Sequence, residues 1–207
     1  MNLPNKLTTA RMILVILLIS FMLIPAYWFP HEPVMIFKHV YLRYFIAAIV
    51  FIIAAITDYF DGYFARKLNL ITNYGKFMDP IADKLLVNSM LIILAVPRNA
   101  LPWQITIPVV LVVLMIARDT IVDGFRLVAA SQNKVLAANI FGKVKTVLQM
   151  VAIIMVLLND WPFSAQAEGG SSAPYVSYVF LGVATLVSLV SGIIYIVQNI
   201  NVLKETE

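Results

Sequence analysis

The sequence contains no cysteine and only two histidines among its 207 residues. Without cysteine the chain can form no disulfide and perform no thiolate chemistry. Charged residues are also scarce, at 13%, whereas hydrophobic residues make up 61%. This balance excludes an ordinary soluble globular domain. The longest polar stretch runs only from Asn159 to Pro174, so we expect residues 1–207 to form a single membrane domain.

Apolar runs dominate the rest of the chain, and a membrane-spanning helix needs about 20 residues. The pattern predicts an all-α integral membrane protein with six transmembrane helices. Residues 1–11 are expected to form a polar leader before the first helix, and Pro80 to lie in the first turn of the third helix or at a kink. The six helices are expected at about 12–29, 44–67, 79–96, 103–126, 139–158 and 175–200.

The basic residues are distributed unequally between the two sides that six spans define. Six spans place both termini on one side, and an excess of lysine and arginine marks the cytoplasmic side. We therefore expect both termini to be cytoplasmic. The opposite loops hold Lys38, Arg43 and Arg98. The expected cytoplasmic side holds Lys6, Arg11, Arg66, Lys67, Lys76, Lys84, Arg118, Arg126, Lys134, Lys143, Lys145 and Lys204.

Four aspartates stand close together in this apolar sequence, between the second and third predicted helices. The first pair is spaced i, i+3 and the second i, i+4, so each pair points one way on a helix. Four neighbouring carboxylates repel one another, and a divalent metal such as Mg²⁺, Mn²⁺ or Ca²⁺ relieves that repulsion. The residues are Asp58, Asp61, Asp79 and Asp83.

Cationic side chains are expected at the same membrane level as the aspartates. Carboxylate-held metal surrounded by cations suits phosphate chemistry, because metal ions neutralise charge and orient an in-line attack. The basic residues concerned are Arg66, Arg118, Arg126, Lys143 and Lys145.

The aspartates have two other interpretations. They could be scattered cap residues at helix ends. However, isolated caps do not ordinarily form two pairs that flank a short turn, with glycine and arginine between them. They could instead form the cation site of a transporter or channel, where carboxylates mark an ion pathway. That alternative predicts carboxylates near mid-membrane on several helices, whereas these cluster at two consecutive helix ends.

The spacing of the stretch resembles the signature of the CDP-alcohol phosphotransferases. It reads Asp58-x₂-Asp61-Gly62-x₂-Ala65-Arg66-x₈-Gly75-x₃-Asp79-x₃-Asp83, with every fixed position present. The resemblance implies a homodimeric enzyme of the cell membrane, and the distribution of basic residues predicts that its active site faces the cytoplasm. Such an enzyme moves a phosphoryl-linked group from a CDP-alcohol to an acceptor alcohol and releases CMP.

The resemblance also implies a role for each matching residue. Asp83 would be the general base that takes the proton of the acceptor, and Arg66 would meet the phosphates of the nucleotide. Small residues would leave room for CDP, namely Gly62, Ala65 and Gly75. Two divalent ions, Mg²⁺ or Mn²⁺, would be held by Asp58, Asp61, Asp79 and Asp83.

Three further segments resemble phosphatidylglycerophosphate synthases: the leader N-L-P-N-K-L-T-T-A-R, the segment R-D-T-I-V-D-G-F-R and the run G-K-V-K-T-V-L-Q-M. This implies CDP-diacylglycerol as donor and glycerol 3-phosphate as acceptor, with membrane lipids as surroundings and no nucleic-acid partner. Serine or an inositol phosphate is the alternative acceptor. An anionic acceptor needs positive charge of its own, and we assign that part to Arg118, Arg126, Lys143 and Lys145, with Arg118 foremost.

Overall fold

The computed structural model describes residues 3–25, 28, 34–36, 40–67, 73–97, 104–132, 140–161, 163 and 175–200. Within these ranges it describes only the backbone of 3–4, 59–66, 74, 76, 140–141 and 175. The described residues form six α-helices and one short pair of antiparallel strands. The helices are α1 (Leu3–Leu23), α2 (Leu42–Lys67), α3 (Asn73–Ala95), α4 (Val109–Ser131), α5 (Ile140–Leu157) and α6 (Tyr175–Gln198), and the strands are β1 (Met35–Ile36) and β2 (Val40–Tyr41).

Helix α1 begins nine residues earlier than predicted, at Leu3 rather than at position 12. The predicted polar leader was wrong, because this segment is helical and two of its polar side chains face inward. Thr8 and Arg11 are each only 2% exposed and have partners on α3. A polar residue is tolerated on a buried helix face when it is hydrogen-bonded there.

Helix α3 also begins before its predicted start. It starts at Asn73 instead of 79, so Asn73 and Gly75 lie in its first turn and Pro80 lies inside the helix. Helix α4 begins later than predicted, at Val109, directly after Pro108. A residue that precedes proline is biased towards extended backbone, which delays the helix.

The connection between α1 and α2 is anchored by Arg43. Its guanidinium donates to the carbonyl oxygen of Phe21, with an Nη2–O distance of 2.5 Å, and to that of Ile24. It also lies 5.5 Å from the centre of the Phe21 ring. A basic side chain that satisfies the last carbonyls of a helix stabilises the helix end.

Two residues with left-handed backbone end α5 and join it to its neighbours. Asn159 has φ 54° and Asp160 has φ 59°. Asn159 Oδ1 accepts a hydrogen bond from the backbone N–H of Ile105 at 3.0 Å. Asp160 Oδ1 accepts one from the N–H of Ser177, in the first turn of α6, at 2.9 Å. Burial raises the pKa of the Asp160 carboxyl above its ordinary value, while hydrogen bonds from Ser177 and Val176 act in the opposite direction.

The helices are apolar both inside and outside. Phe51 and Ile153 belong to the fully buried core, whereas Leu17, Val110 and Leu186 are 63%, 69% and 64% exposed. Helices with apolar side chains on both faces are typical of proteins that lie in lipid. Among the described residues, the segments Asn5–Leu23 and Val176–Gln198 are long and apolar enough to span a membrane by themselves. The all-helical prediction is confirmed, and the structure is consistent with a membrane protein.

Candidate active site

The charged side chains of the candidate site lie towards one end of the helix bundle. The odd-numbered helices contribute residues from their first halves, and the even-numbered helices contribute residues from their middle or second half. Ion pairs and hydrogen bonds between these helices bring the positions together. The contributing residues are Arg11, Asp58, Asp79, Asp83, Arg118, Asp119, Lys145 and Ser191.

Arg11 of α1 joins the two aspartate-bearing helices. Its guanidinium forms an ion pair with Asp58 of α2, and its Nη2 lies 3.2 Å from Oδ1 of Asp79 on α3. Thr8, one turn earlier on α1, donates its hydroxyl to the same Asp79 oxygen at 3.1 Å. Asp58 and Asp79 are 21 positions apart in sequence, and the structure brings them to one cation.

The three charged groups differ in their access to solvent. The Arg11 side chain is 1% exposed, whereas those of Asp58 and Asp79 are 37% and 43% exposed. The guanidinium therefore lies on the protein side of the pair and the carboxylates keep an accessible surface. Burying an arginine carries a large desolvation penalty, which its two carboxylate partners offset.

Asp83 follows Asp79 by one turn of α3 and is half-buried. It interacts electrostatically with Arg11 and also with Lys145 and Asp119. The proposed general base thus lies one turn from Asp79 and interacts with a second group of charges on α4 and α5.

This second group is organised around Asp119 of α4. Lys145 of α5 donates to both carboxylate oxygens, at 2.7 and 2.5 Å, and Arg118 Nη1 donates to one of them at 2.9 Å. Arg118 Nη2 also donates to the hydroxyl of Ser191 on α6 at 2.7 Å. The side chains of Arg118, Asp119 and Lys145 are 12%, 13% and 9% exposed, so the group is largely withdrawn from solvent. We call these three residues the Asp119 cluster.

Gly192 of α6 lies directly against Arg118. A Cβ atom at position 192 would lie 2.8 Å from Arg118 Nε and 2.9 Å from its Cγ. No real Cβ contact is that short, so a larger residue would force the arginine to move. The glycine therefore provides the space that the Arg118 side chain occupies.

The four predicted acceptor-site cations do not all lie together. Arg118 and Lys145 share Asp119. Arg126 is exposed further along α4, where its Nε donates to the hydroxyl of Tyr195 at 3.2 Å and its guanidinium lies 5.2 Å from the ring centre. Lys143 is exposed near the start of α5. A separate ion pair, Lys84 with Asp123, links α3 to α4.

Several predicted nucleotide and metal residues have no described side chain. Asp61, Gly62, Ala65 and Arg66 lie in α2 as backbone only, so their side chains are outside the described residues. Gly75 is described, and it is half-buried in the first turn of α3.

The donor set fits a hard divalent cation. Asp58 and Asp79 reach one cationic group from two helices, and carboxylate oxygens are the ligands that Mg²⁺ and Mn²⁺ prefer. Among the side chains that the structure describes, which exclude Asp61, no three or more acidic, histidine or cysteine residues are grouped as a metal site.

Sequence reasoning missed Arg11, Thr8, Ser191 and Gly192 as site residues. Arg11 was interpreted as a topology signal, since a single cation before an apolar run is ordinarily that. The signal available was the i, i+3 spacing of Thr8 and Arg11, which places both on one face of a helix. Ser191 and Gly192 carry no local signal, because small residues are common in membrane helices.

Comparison with known proteins identifies related sequences over nearly the whole chain. The profile of the family described as CDP-alcohol phosphatidyltransferase matches residues 1–196. A Bacillus subtilis protein is 42% identical over 203 residues, covering 98% of this chain and 97% of the relative. A Rickettsia felis protein is 32% identical over 94% of this chain and 93% of its own, and an Escherichia coli protein is 35% identical over 75% and 76%. All three relatives are named CDP-diacylglycerol–glycerol-3-phosphate 3-phosphatidyltransferase.

Proposed function

The chain belongs to the CDP-alcohol phosphatidyltransferase family, and on that premise we propose that it transfers the phosphatidyl group of CDP-diacylglycerol to sn-glycerol 3-phosphate. The relatives' names supply these two substrates. The observation that carries the proposal is the convergence of Asp58 and Asp79 near one end of the bundle. Asp83 lies one turn after Asp79 on α3 and interacts electrostatically with Lys145 and Asp119 of the Asp119 cluster.

The reaction joins one oxygen to phosphorus and releases another. The primary hydroxyl of glycerol 3-phosphate attacks the phosphorus that carries the diacylglycerol, and Asp83 takes the hydroxyl proton. The bond between that phosphorus and the oxygen of CMP breaks, and the bonding electrons leave with CMP. The products are phosphatidylglycerophosphate and CMP.

The donor side of the site is assigned to the signature residues of α2 and α3. Two divalent ions, Mg²⁺ or Mn²⁺, would be held by Asp58, Asp61, Asp79 and Asp83 and would supply charge neutralisation at the pyrophosphate. Arg66 would bind phosphate oxygens of CDP. Gly62, Ala65 and Gly75 would let the nucleotide approach the backbone closely.

The acceptor side is assigned to the cations of α4 and α5. Arg118 and Lys145 converge on one carboxylate, that of Asp119, and a phosphate group has the same charge sign and similar oxygen geometry. The two cations carry one positive charge more than the Asp119 carboxylate neutralises, and we assign that surplus charge to the phosphate of glycerol 3-phosphate. Arg126 and Lys143, both exposed, would add longer-range attraction for an anionic acceptor.

We further propose six membrane spans with both termini and the site on the cytoplasmic side, in a homodimer of the cell membrane. The distribution of lysine and arginine supports this orientation. Helices α1 and α6 are long and apolar enough to cross a membrane, which is consistent with this arrangement.

The test is CMP release by the purified protein in detergent with CDP-diacylglycerol and Mg²⁺. We expect glycerol 3-phosphate to be the fastest acceptor in a panel that includes serine and inositol phosphate. Asp58→Asn should abolish release and still insert into the membrane. Faster release with serine or inositol phosphate would contradict the acceptor, and no release with any alcohol would contradict the reaction.

A further inference from the structure

Among the side chains that the structure describes, Arg11 is the most deeply buried cation of the site, and it has no part in the reaction proposed above. Its side chain is 1% exposed, and it contacts carboxylates on two different helices. Thr8 fixes the same Asp79 oxygen from the preceding turn of α1. An arginine in this position is held by its surroundings, so it adopts one geometry rather than sampling solvent.

The carboxylates that Arg11 contacts are the ones that would bind metal. Two carboxylates on neighbouring helices repel each other unless a cation lies between them. Arg11 supplies that cation from within the chain. A divalent ion that approaches the exposed side of Asp58 and Asp79 meets carboxylates whose negative charge is already partly neutralised. The neutralising group is the buried guanidinium of Arg11.

We propose that Arg11 is an intramolecular counter-cation that competes with divalent metal for Asp58 and Asp79 and thereby lowers the metal affinity of the site. This inference rests on the proposed function, because it takes these carboxylates as metal ligands. On this proposal Arg11 acts through the two aspartates, so it is a positioning residue. The benefit is a preformed aspartate pair that stays together when no metal is bound.

The two effects of Arg11 predict opposite changes when its charge is removed. Without the guanidinium, the metal-free protein contains two uncompensated carboxylates and becomes less stable. The metal-bound protein no longer suffers repulsion between Arg11 and the ion, so binding becomes tighter. A purely structural arginine would lower stability and weaken metal binding together.

The experiment measures Mn²⁺ binding to the purified protein in detergent, by calorimetry and without substrates. For Arg11→Gln we expect the half-saturating Mn²⁺ concentration to fall by about fivefold or more. We expect its unfolding temperature in EDTA to fall below that of the wild type, and Mn²⁺ to raise it by more than it raises the wild-type value.

Two further variants complete the comparison. Lys6→Gln is the matched control, since it removes the same charge from an exposed position of α1, and it should change neither measurement. Arg11→Lys keeps the charge but loses the planar fork that meets two carboxylates, so its Mn²⁺ affinity should lie between those of the wild type and Arg11→Gln. If Arg11→Gln does not fold, the Mn²⁺ affinity of Arg11→Lys tests the counter-cation role by itself.

Asp58→Asn separates failure of this inference from failure of the proposed metal site. If the wild type binds no Mn²⁺, or Asp58→Asn binds it as well as the wild type, the metal assignment is wrong. If Asp58→Asn loses binding while the Arg11 variants bind as tightly as the wild type or more weakly, the metal assignment stands and the counter-cation role is overturned.

Discussion

Gly192 of α6 and Arg118 of α4 are packed so closely that a methyl group on the glycine would lie 2.8 Å from the arginine Nε. Gly192→Ala should therefore displace the guanidinium from Asp119 and Ser191 while leaving its charge in place. If Arg118 binds the acceptor phosphate, the KM for glycerol 3-phosphate should rise about tenfold, which corresponds to ~1.4 kcal/mol. The KM for CDP-diacylglycerol should stay unchanged, and steady-state CMP release measures both.

The same helix offers a control for that substitution. A Cβ at Gly182 would meet nothing within 4 Å, so Gly182→Ala adds the same methyl group to α6 without a contact. It should leave both KM values unchanged. An equal rise for both substrates in Gly192→Ala would indicate general distortion and would remove Arg118 from acceptor binding.

Loss of Asp119 should destabilise the protein through Lys145. Asp119→Asn removes the carboxylate that two buried cations share, and leaving a buried charge unpaired costs about 3–5 kcal/mol. The unfolding temperature in detergent should fall accordingly. Lys145→Met in the same chain removes the unpaired ammonium and should restore much of the loss without restoring activity. If the double variant is no more stable than Asp119→Asn, the Lys145 ion pair is not what the carboxylate provides.

Asp83→Asn should abolish CMP release and leave binding of CDP-diacylglycerol largely intact, since an amide cannot accept the acceptor proton. Equilibrium binding of a fluorescent CDP-diacylglycerol analogue to the purified variant provides the second measurement. Near-normal turnover would remove Asp83 from its role as general base.

Asp160 should make the stability of the protein depend on pH. Burial raises its pKa above the ordinary value of 3.8, so the folded protein holds this proton more tightly than the unfolded chain. The resulting stabilisation is fully present below the ordinary pKa and is lost as the pH rises through the higher pKa of the folded protein. Asp160→Asn keeps an acceptor for the Ser177 N–H, and asparagine tolerates the left-handed backbone.

The unfolding temperature of Asp160→Asn relative to the wild type should therefore increase from about pH 4 to about pH 7. Asp160→Ala is the comparison, because it loses the hydrogen bond as well and should be less stable than Asp160→Asn at every pH. A pH-independent difference between Asp160→Asn and the wild type would show that the carboxyl does not titrate anomalously.

The proposed orientation can be tested at the two ends of one helix. Lys143 lies near the start of α5 and Phe163 lies just beyond its end, and both are exposed. Because the chain has no cysteine, Lys143→Cys and Phe163→Cys each report one position without background. A membrane-impermeant maleimide added to intact cells should label position 163 and not position 143. The reverse pattern would place the site outside the cell.

Much of the helical layout and the family could be predicted from sequence, because both depend on local pattern. The aspartate spacings and the apolar runs lie within short segments, and α5 and α6 begin within one residue of their predicted starts. The start of α1 was wrong because Thr8 and Arg11 look like solvent-exposed residues until α3 is placed beside them.

The contacts of the site depend on how helices pack, which the sequence pattern does not encode. Asp119 and Lys145 are 26 positions apart, and Arg118 and Ser191 are 73 apart. Helical periodicity predicts which face a residue occupies, but not which residue of another helix lies at the same height. The fit of Gly192 against Arg118 is likewise visible only once α4 and α6 are in contact.

The charged side chains of the site are divided along the chain by the connection between α3 and α4. Arg11, Asp58 and Asp79 precede it, whereas Arg118 and the rest of the Asp119 cluster follow it. On the proposed assignment, the first part holds the chemistry of the donor and the second part selects the alcohol. A chimaera that exchanged only the second part with a relative using another alcohol would change the lipid headgroup produced. Recombination at this one connection would thus let membranes diversify their lipids while the reacting centre is inherited intact.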